Sequence, residues 1–264
     1  RTNPAKKSVT DMTEAKSPFD LTGQTALITG ASKGLGAGCA MALAKAGADV
    51  VLVARSAEPL EAVAADIRAL GRQAHTMVCN VTDTAAFNSA FDDAPPVHIL
   101  VNNAGTNIPE PFTDVSEEHF DSIMNINVRA AFFVAQAVAA RMKSDNISGS
   151  IIHMSSQMGH VGAVNRTVYC TTKHAIEGLT KAMALELAPH AIRVNAVAPT
   201  YIETPLTKPF LDDPVFMESV LKQIPLGHVG QIDDVTGAVV YLASSAARMV
   251  TGSCLKVDGG WTAL

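Results

Sequence analysis

Thr25-Ala26-Leu27-Ile28-Thr29-Gly30-Ala31-Ser32-Lys33-Gly34-Leu35-Gly36-Ala37-Gly38 is the run around which the chain is organised. Residues 25–29 are β-branched and apolar, long enough for a buried strand and too short for a helix. Glycines follow at 30, 34 and 36, and then an Ala-rich helical run, 37–46, that Gly47 stops. Strand, Gly-rich turn and helix make a phosphate cradle. Glycine permits the tight turn and lets backbone N–H groups approach a pyrophosphate, while the helix N-terminus supplies partial positive charge. The cradle is built from Gly30, Ser32, Lys33, Gly34, Leu35 and Gly36.

Two rival motifs compete for the same residues. A P-loop needs Gly-Lys-Ser/Thr after four spacers, and Gly34-Leu35 does not supply it. Gly30-Ala31-Ser32-Lys33-Gly34 does fit the G-x-S-x-G nucleophile elbow. A hydrolase elbow, however, follows several strands that carry its oxyanion loop, and here the motif ends the first strand.

With 264 residues, one α/β domain around a single large core is in range. The apolar share of 48% is ordinary, and its Ala and Val suit helices packed closely on a parallel sheet. A net charge of −5 gives no reason to expect a nucleic-acid partner or an anionic membrane surface. No apolar run is read as long enough for a membrane span, and the basic N-terminus has no apolar segment of a secretory signal. Cysteines 39, 79, 170 and 254 lack C-x-x-C or Cys/His spacing, so neither disulfides nor a metal site are expected. They suit reduced thiols in the cytoplasm.

Residues 1–18 are polar, contain Pro4 and Pro18 and show no period, which predicts a flexible tail. Met12 is a reasonable natural start, leaving open whether residues 1–11 are native. Strands are expected at 25–29, 48–54, 74–81, 97–101, 149–154, 192–198 and 254–257. Helices are expected at 37–46, 57–70, up to about 93, 116–142, 167–188 and 232–243, with an irregular segment from Pro199 to about 226. This alternation predicts one domain over 19–264, a Rossmann-like doubly wound parallel sheet of about seven strands with helices on both faces. In such open sheets ligands bind beyond the carboxyl ends of the strands.

Tyr169-Cys170-Thr171-Thr172-Lys173 places a phenol and an ammonium four apart, on one face of a helix. An ammonium favours phenolate and is expected to pull the tyrosine pKa towards the working pH, which suits proton transfer. Ser156, thirteen residues earlier at the end of the fifth strand, offers a hydroxyl to hold a substrate oxygen. Ser155 is the alternative, although spacing favours Ser156.

In order and spacing, the cradle, Asn102-Asn103-Ala104-Gly105, Asn127-Val128-Arg129-Ala130, Ser156 and Tyr169-x3-Lys173 resemble the short-chain dehydrogenase/reductase family over roughly 20–262. The resemblance implies a catalytic set of Asn127, Ser156, Tyr169 and Lys173. In it the serine positions the carbonyl or alcohol, the tyrosine is acid/base, and the lysine holds the nicotinamide ribose. Asn127 holds a water that relays protons, a role compatible with propping a helix kink. Cofactor contacts carry over to Gly30, Gly36, Asn102, Ala104 and Gly105, and to Tyr169 and Lys173. Asn80-Val81 stands where the family often has Asp-Val against adenine, and an amide oxygen accepts the same bond. Pro199-Thr200 replaces the usual Pro-Gly, while Ile202 and Thr204 match the segment that holds the carboxamide.

The pocket walls are expected from 107–112, 157–166 and 200–217, with Ser156, Met158, His160, Arg166, Tyr169 and Tyr201 as substrate contacts. The polar groups of the middle segment favour a sugar, polyol or hydroxy acid, although His160, Asn165 and Arg166 fit a solvated loop or subunit contact equally well. The expected activity is hydride transfer between a nicotinamide cofactor and a carbonyl or secondary alcohol. Its rivals are a 3-oxoacyl thioester reductase of lipid synthesis and a non-catalytic nucleotide sensor. Ala54 stands where an NAD-selective site places an acid, and Arg55 with Lys33 offers two cations for a 2′-phosphate. NADP(H) is therefore expected over NAD(H), with NAD(H) still admitted. Apolar residues on more than one face of the helices near 116–142 and 167–188 must be covered. The family resemblance then implies a homotetramer, with a dimer as the fallback.

Overall fold

Thr25–Thr29 forms the first strand, β1, and its alternation splits the core in two. Ala26 and Ile28 face one helical layer and Leu27 faces the other. The computed structural model describes residues 17–263. After β1 come α1 (Gly34–Lys45), β2 (Asp49–Ala54), α2 (Ala57–Ala69), β3 (Ala74–Val78), α3 (Thr84–Asp92) and β4 (Ile99–Asn102). The chain continues with α4 (Glu117–Met124), a π-helical segment (Asn125–Ala130), α5 (Ala131–Ser144), β5 (Ser150–Met154), α6 (Thr167–Leu187) and β6 (Arg193–Pro199). It closes with α7 (Lys208–Leu211), α8 (Pro214–Leu221), α9 (Ile232–Ala243) and β7 (Cys254–Val257).

The strands form one parallel sheet in the order β3-β2-β1-β4-β5-β6-β7. Buried residues of α1, α2 and α9 join Val50, Leu52 and Val101 on one face. Those of α3 and α5, with Ala184 of α6, join Val51, Val53 and Leu100 on the other. Strand order reverses between β1 and β4, so a crevice opens beyond their carboxyl ends. Gly38 lets α1 meet α9 closely, since a Cβ there would stand 2.2 Å from Ile232 Cγ2.

Several boundaries differ from expectation. The third strand stops at Val78, and 79–83 turns instead: Asn80 Oδ1 accepts from the Thr82 N–H and Asp83 caps α3. The single helix expected over 116–142 is interrupted by the π-helical segment. The segment expected to be irregular contains α7 and α8, the latter capped by Asp213 with Pro214 in its first turn. Residues 1–16 of the expected tail lie outside the described residues. Pro18, by contrast, is anchored, its carbonyl accepting from Ala246 N–H and Ser245 Oγ. Taken together, Glu117–Ser144 is long and apolar enough by length and composition to cross a membrane, contrary to the sequence reading. Here its face with Val134, Ala135, Val138 and Met142 is buried against the sheet.

One hydroxyl ties the ends of β1 and β4. The fully buried Thr29 Oγ1 accepts from the Asn103 and Ala104 N–H groups at 2.9 and 3.0 Å and faces Asn102 Oδ1 at 3.4 Å. Thr29→Val leaves both donors without an acceptor and is expected to cost about 1–3 kcal/mol. Urea unfolding checks this, with Thr29→Ser remaining close to wild type because it keeps the oxygen.

Candidate active site

The cradle is open to an anion. Lys33, at the N-cap of α1, has extended backbone and makes no side-chain cap, and no acid sits in the first turn. Gly30 and Gly34 have φ of 67° and 57°, a region side chains disfavour. A Cβ on Gly36 would lie 2.1 Å from the Gly30 carbonyl oxygen, so the turn closes only around glycine. Asn103 Nδ2 donates to the Thr29 carbonyl at 2.9 Å and reaches that of Gly30 at 3.5 Å, fixing the turn from the β4 side. Among the described residues, the exposed side chains of Lys33 and Arg55 have no hydrogen-bond or ion-pair partner. These features fit the pyrophosphate of a dinucleotide on the helix N-terminus, with cations free for a further phosphate.

Other expected cofactor residues surround the same crevice. Thr204 packs against Gly34: a Cβ on that glycine would stand 3.7 Å from Thr204 Cβ. The segment after β6 therefore runs over the cradle. Ile202 is buried and bridges to Gly230. Val81 is buried and Asn80 exposed at the rim. Asn102 is spent internally, its Nδ2 donating to the Ala131 carbonyl at 2.7 Å. Gly105 lies against Asn127, whose Oδ1 would be 3.1 Å from a Cβ there.

The fifth strand and α6 bring the catalytic candidates together. Lys173 is buried, and its Nζ donates to the Met154 carbonyl at 2.7 Å. Burial lowers its pKa to about 8, with Glu177 opposing the shift. Nζ lies 5.4 Å from the centre of the Tyr169 ring. The phenol is not shifted towards neutrality as the sequence suggests. Burial pushes it up to about 12, and the Ser156 hydroxyl offsets only part of that rise. Ser156 Oγ donates to Gln157 Oε1 at 2.6 Å and accepts from Met158 N–H at 3.2 Å. Asn127, turned inward by the π-helical segment, donates to the Thr106 carbonyl and Thr172 Oγ1 and accepts from Thr106 N–H. Its amide thus joins the segment after β4 to α6.

A cavity of about 150 Å³ opens beside these groups, lined by Ser156, Met158, Arg166, Tyr169, Thr200 and Tyr201 among others. Asn107 Oδ1 and Thr200 Oγ1, both in its wall, have no hydrogen-bond partner among the described residues. Tyr201 is wedged edge-on against Phe216 and near Trp261, which places α8 over the mouth. His160 departs from its expected place. It does not line the cavity; its Nε2 lies 3.3 Å from Cys254 Sγ and 3.5 Å from Glu177 Oε1. A more open depression of about 670 Å³, lined by Glu118, Met124 and Arg129, lies on the split helix and contains no catalytic candidate.

Residues 30–262 match the family model described as enoyl-(acyl carrier protein) reductase. L-Xylulose reductase of Mus musculus is 40% identical over 243 residues, covering 92% of this chain and 98% of that protein. The chain belongs to the short-chain dehydrogenase/reductase family. Gluconate 5-dehydrogenase of Gluconobacter oxydans is 38% identical over 248 residues, 92% of this chain and 96% of that protein. The crystal structure of a gluconate 5-dehydrogenase from Burkholderia cenocepacia, in complex with NADP and tartrate, aligns with a TM-score of 0.90. That alignment has 36% identity and covers 94% of this chain and 98% of the other.

Within this short-chain dehydrogenase/reductase, several groups that the sequence places only in a motif or an expected pocket wall have specific partners or tasks in the structure. Asn103, the second residue of the Asn-Asn-Ala-Gly motif, clamps the glycine turn. Gln157, adjacent to Ser156, holds the serine hydroxyl. Asn107 and Thr200 carry the unspent polar atoms of the cavity.

His153 of β5 adds a pH response. It is fully buried, and burial with the Lys173 charge lowers its pKa to about 4. The unfolded chain protonates near pH 6.5, so between about 6.5 and 4 it binds more protons than the folded chain. Stability is lost as pH falls through that window. Between pH 7 and 5 the wild type is expected to lose about 2 kcal/mol more than His153→Gln, measured by urea unfolding at both values.

Proposed function

We propose that this protein transfers hydride between NADP(H) and a carbonyl or secondary alcohol of a small polyhydroxylated substrate, a sugar, polyol or hydroxy acid. The unspent Asn107 Oδ1 and Thr200 Oγ1 beside Ser156 and Tyr169 carry this conclusion, because a substrate with several hydroxyls satisfies both. The sugar-converting relatives and the NADP-bound neighbour support it. Gly30, Ser32, Lys33, Gly34, Leu35 and Gly36 would hold the pyrophosphate, and Arg55 with Lys33 the 2′-phosphate. Asn80, Val81, Asn102, Ala104, Gly105, Pro199, Thr200, Ile202 and Thr204 would border the rest. The bound nicotinamide supplies the hydride chemistry.

The chain's own residues manage the proton. Ser156 Oγ, oriented by Gln157, holds the substrate oxygen, and Tyr169 exchanges a proton with it. A phenol kept protonated at neutral pH is ready to act as the acid of carbonyl reduction. Lys173 keeps an ammonium near that phenol, and Asn127 braces the helix that carries both. Arg166 and Tyr201 border the substrate. Thioester reduction on an acidic carrier protein is less well supported, since both lid lysines are already paired, Lys208 with Asp212 and Lys222 with Glu218. A homotetramer in the cytoplasm completes the proposal. Exposed Phe120 and Phe132 on the split helix, Leu185 on α6 and the open edge of β7 support assembly, and four free thiols support the compartment.

Tyr169→Phe removes the proton donor and is expected to lower kcat by about 10²–10⁴ while cofactor affinity, read by fluorescence titration, persists. Retained turnover would contradict the assignment. For cofactor choice, kcat/KM is compared with NADP(H) and NAD(H), using a panel of ketoses, polyols and sugar acids. Wild type is expected to favour NADP(H), and Arg55→Ala to lose about 10–100-fold of that preference. A wild type favouring NAD(H) overturns it.

A further inference from the structure

We propose that His160 Nε2, Glu177 Oε1 and Cys254 Sγ form a three-ligand site for a divalent zinc-type transition metal, with its fourth position open to solvent. The residues come from the 3₁₀ turn region after β5, from α6 and from β7, remote in sequence, and their ligand atoms all lie within 4.8 Å of one another. Their separations suit one ion. Zinc bound tetrahedrally at ordinary Zn–N, Zn–S and Zn–O lengths separates N from S by about 3.6 Å and N from O by about 3.4 Å. Here those separations are 3.3 and 3.5 Å. Imidazole, thiolate and carboxylate together favour zinc or cobalt over magnesium or calcium, which prefer oxygen alone.

Glu177 supplies an independent sign of a missing ligand. It is only 6% exposed, and its Oε1 receives no hydrogen bond. Among the described residues, Lys173, one turn earlier, forms no hydrogen bond or ion pair with it; its Nζ donates to the Met154 carbonyl. His160 Nε2 stands 3.5 Å from that oxygen without a hydrogen bond to it among the described residues, a spacing that leaves room for an ion between them. Carboxylate and thiolate together neutralise a dication. A thiol that binds the ion as thiolate releases its proton. None of the three ligands lines the substrate cavity. The ion would pin the turn after the catalytic serine, the catalytic helix and the edge strand to one another.

The test uses purified full-length chain stripped with chelator and titrated with Zn²⁺ or Co²⁺. One ion per chain, a thiolate-to-cobalt charge-transfer band and a higher thermal midpoint with zinc are expected. Cys254→Ser should abolish the band and weaken zinc binding more than about 100-fold. His160→Gln, checked for folding by circular dichroism, should likewise weaken zinc. Absence of stoichiometric uptake by the wild type overturns the site. So does uptake unchanged in both folded variants, which would assign the ion to other thiols.

Discussion

The close approach of α1 to the carbonyl of Gly30 is the constraint on which the molecule depends. No side chain larger than hydrogen fits at Gly36, and the positive φ at Gly30 and Gly34 makes the turn that creates that proximity. The turn alone would be loose. Thr29 Oγ1 and Asn103 Nδ2 bind it to the end of β4, so the two strands at the reversal point are locked where the crevice opens. An uncapped helix N-terminus in that crevice keeps its N–H groups and partial positive charge available to an anion. The cradle and the sheet topology are therefore one structure.

Burial governs the chemistry on the other side of the crevice. Lys173, His153, Ser156, Gln157 and Asn127 are all buried, and each titrating member shifts in the direction that desolvation dictates. The lysine is held nearer neutrality, the histidine is kept uncharged and the phenol stays protonated. Lys173 meets Tyr169 at its ring, 5.4 Å from the centre, while the ammonium donates its hydrogen bond to the Met154 carbonyl. Asn127 shows why the long helix is interrupted. A π-helical segment turns its amide inward, where three hydrogen bonds join α6 to the segment after β4.

The cavity beside Ser156 and Tyr169 and the His160 side chain lie apart in this fold. The 3₁₀ turn after Ser156 sends Gln157 and Met158 to the cavity and His160 towards α6 and β7. The polar atoms left without a partner in the cavity wall belong to Asn107 and Thr200, on segments after β4 and β6. Thr200, which stands where glycine is usual in the family, thus adds an oxygen as well as bulk.

Local sequence determined much of this protein. Strand runs, glycine spacing and helix stops fixed the alternating architecture, and the motifs identified the family, because both depend on short-range geometry that side-chain order encodes directly. The Tyr169–Lys173 spacing likewise placed both groups on α6. What only the tertiary structure decided depends on contacts between distant segments. The π-helical break, the helices over the cavity mouth and the early end of β3 follow from packing and capping that periodicity does not register. The raised phenol pKa follows from burial, which spacing cannot measure. The approach of His160, Glu177 and Cys254 follows from folding a turn, a helix and an edge strand to one place, since ligand atoms separated by tens of residues become neighbours only when the sheet is assembled.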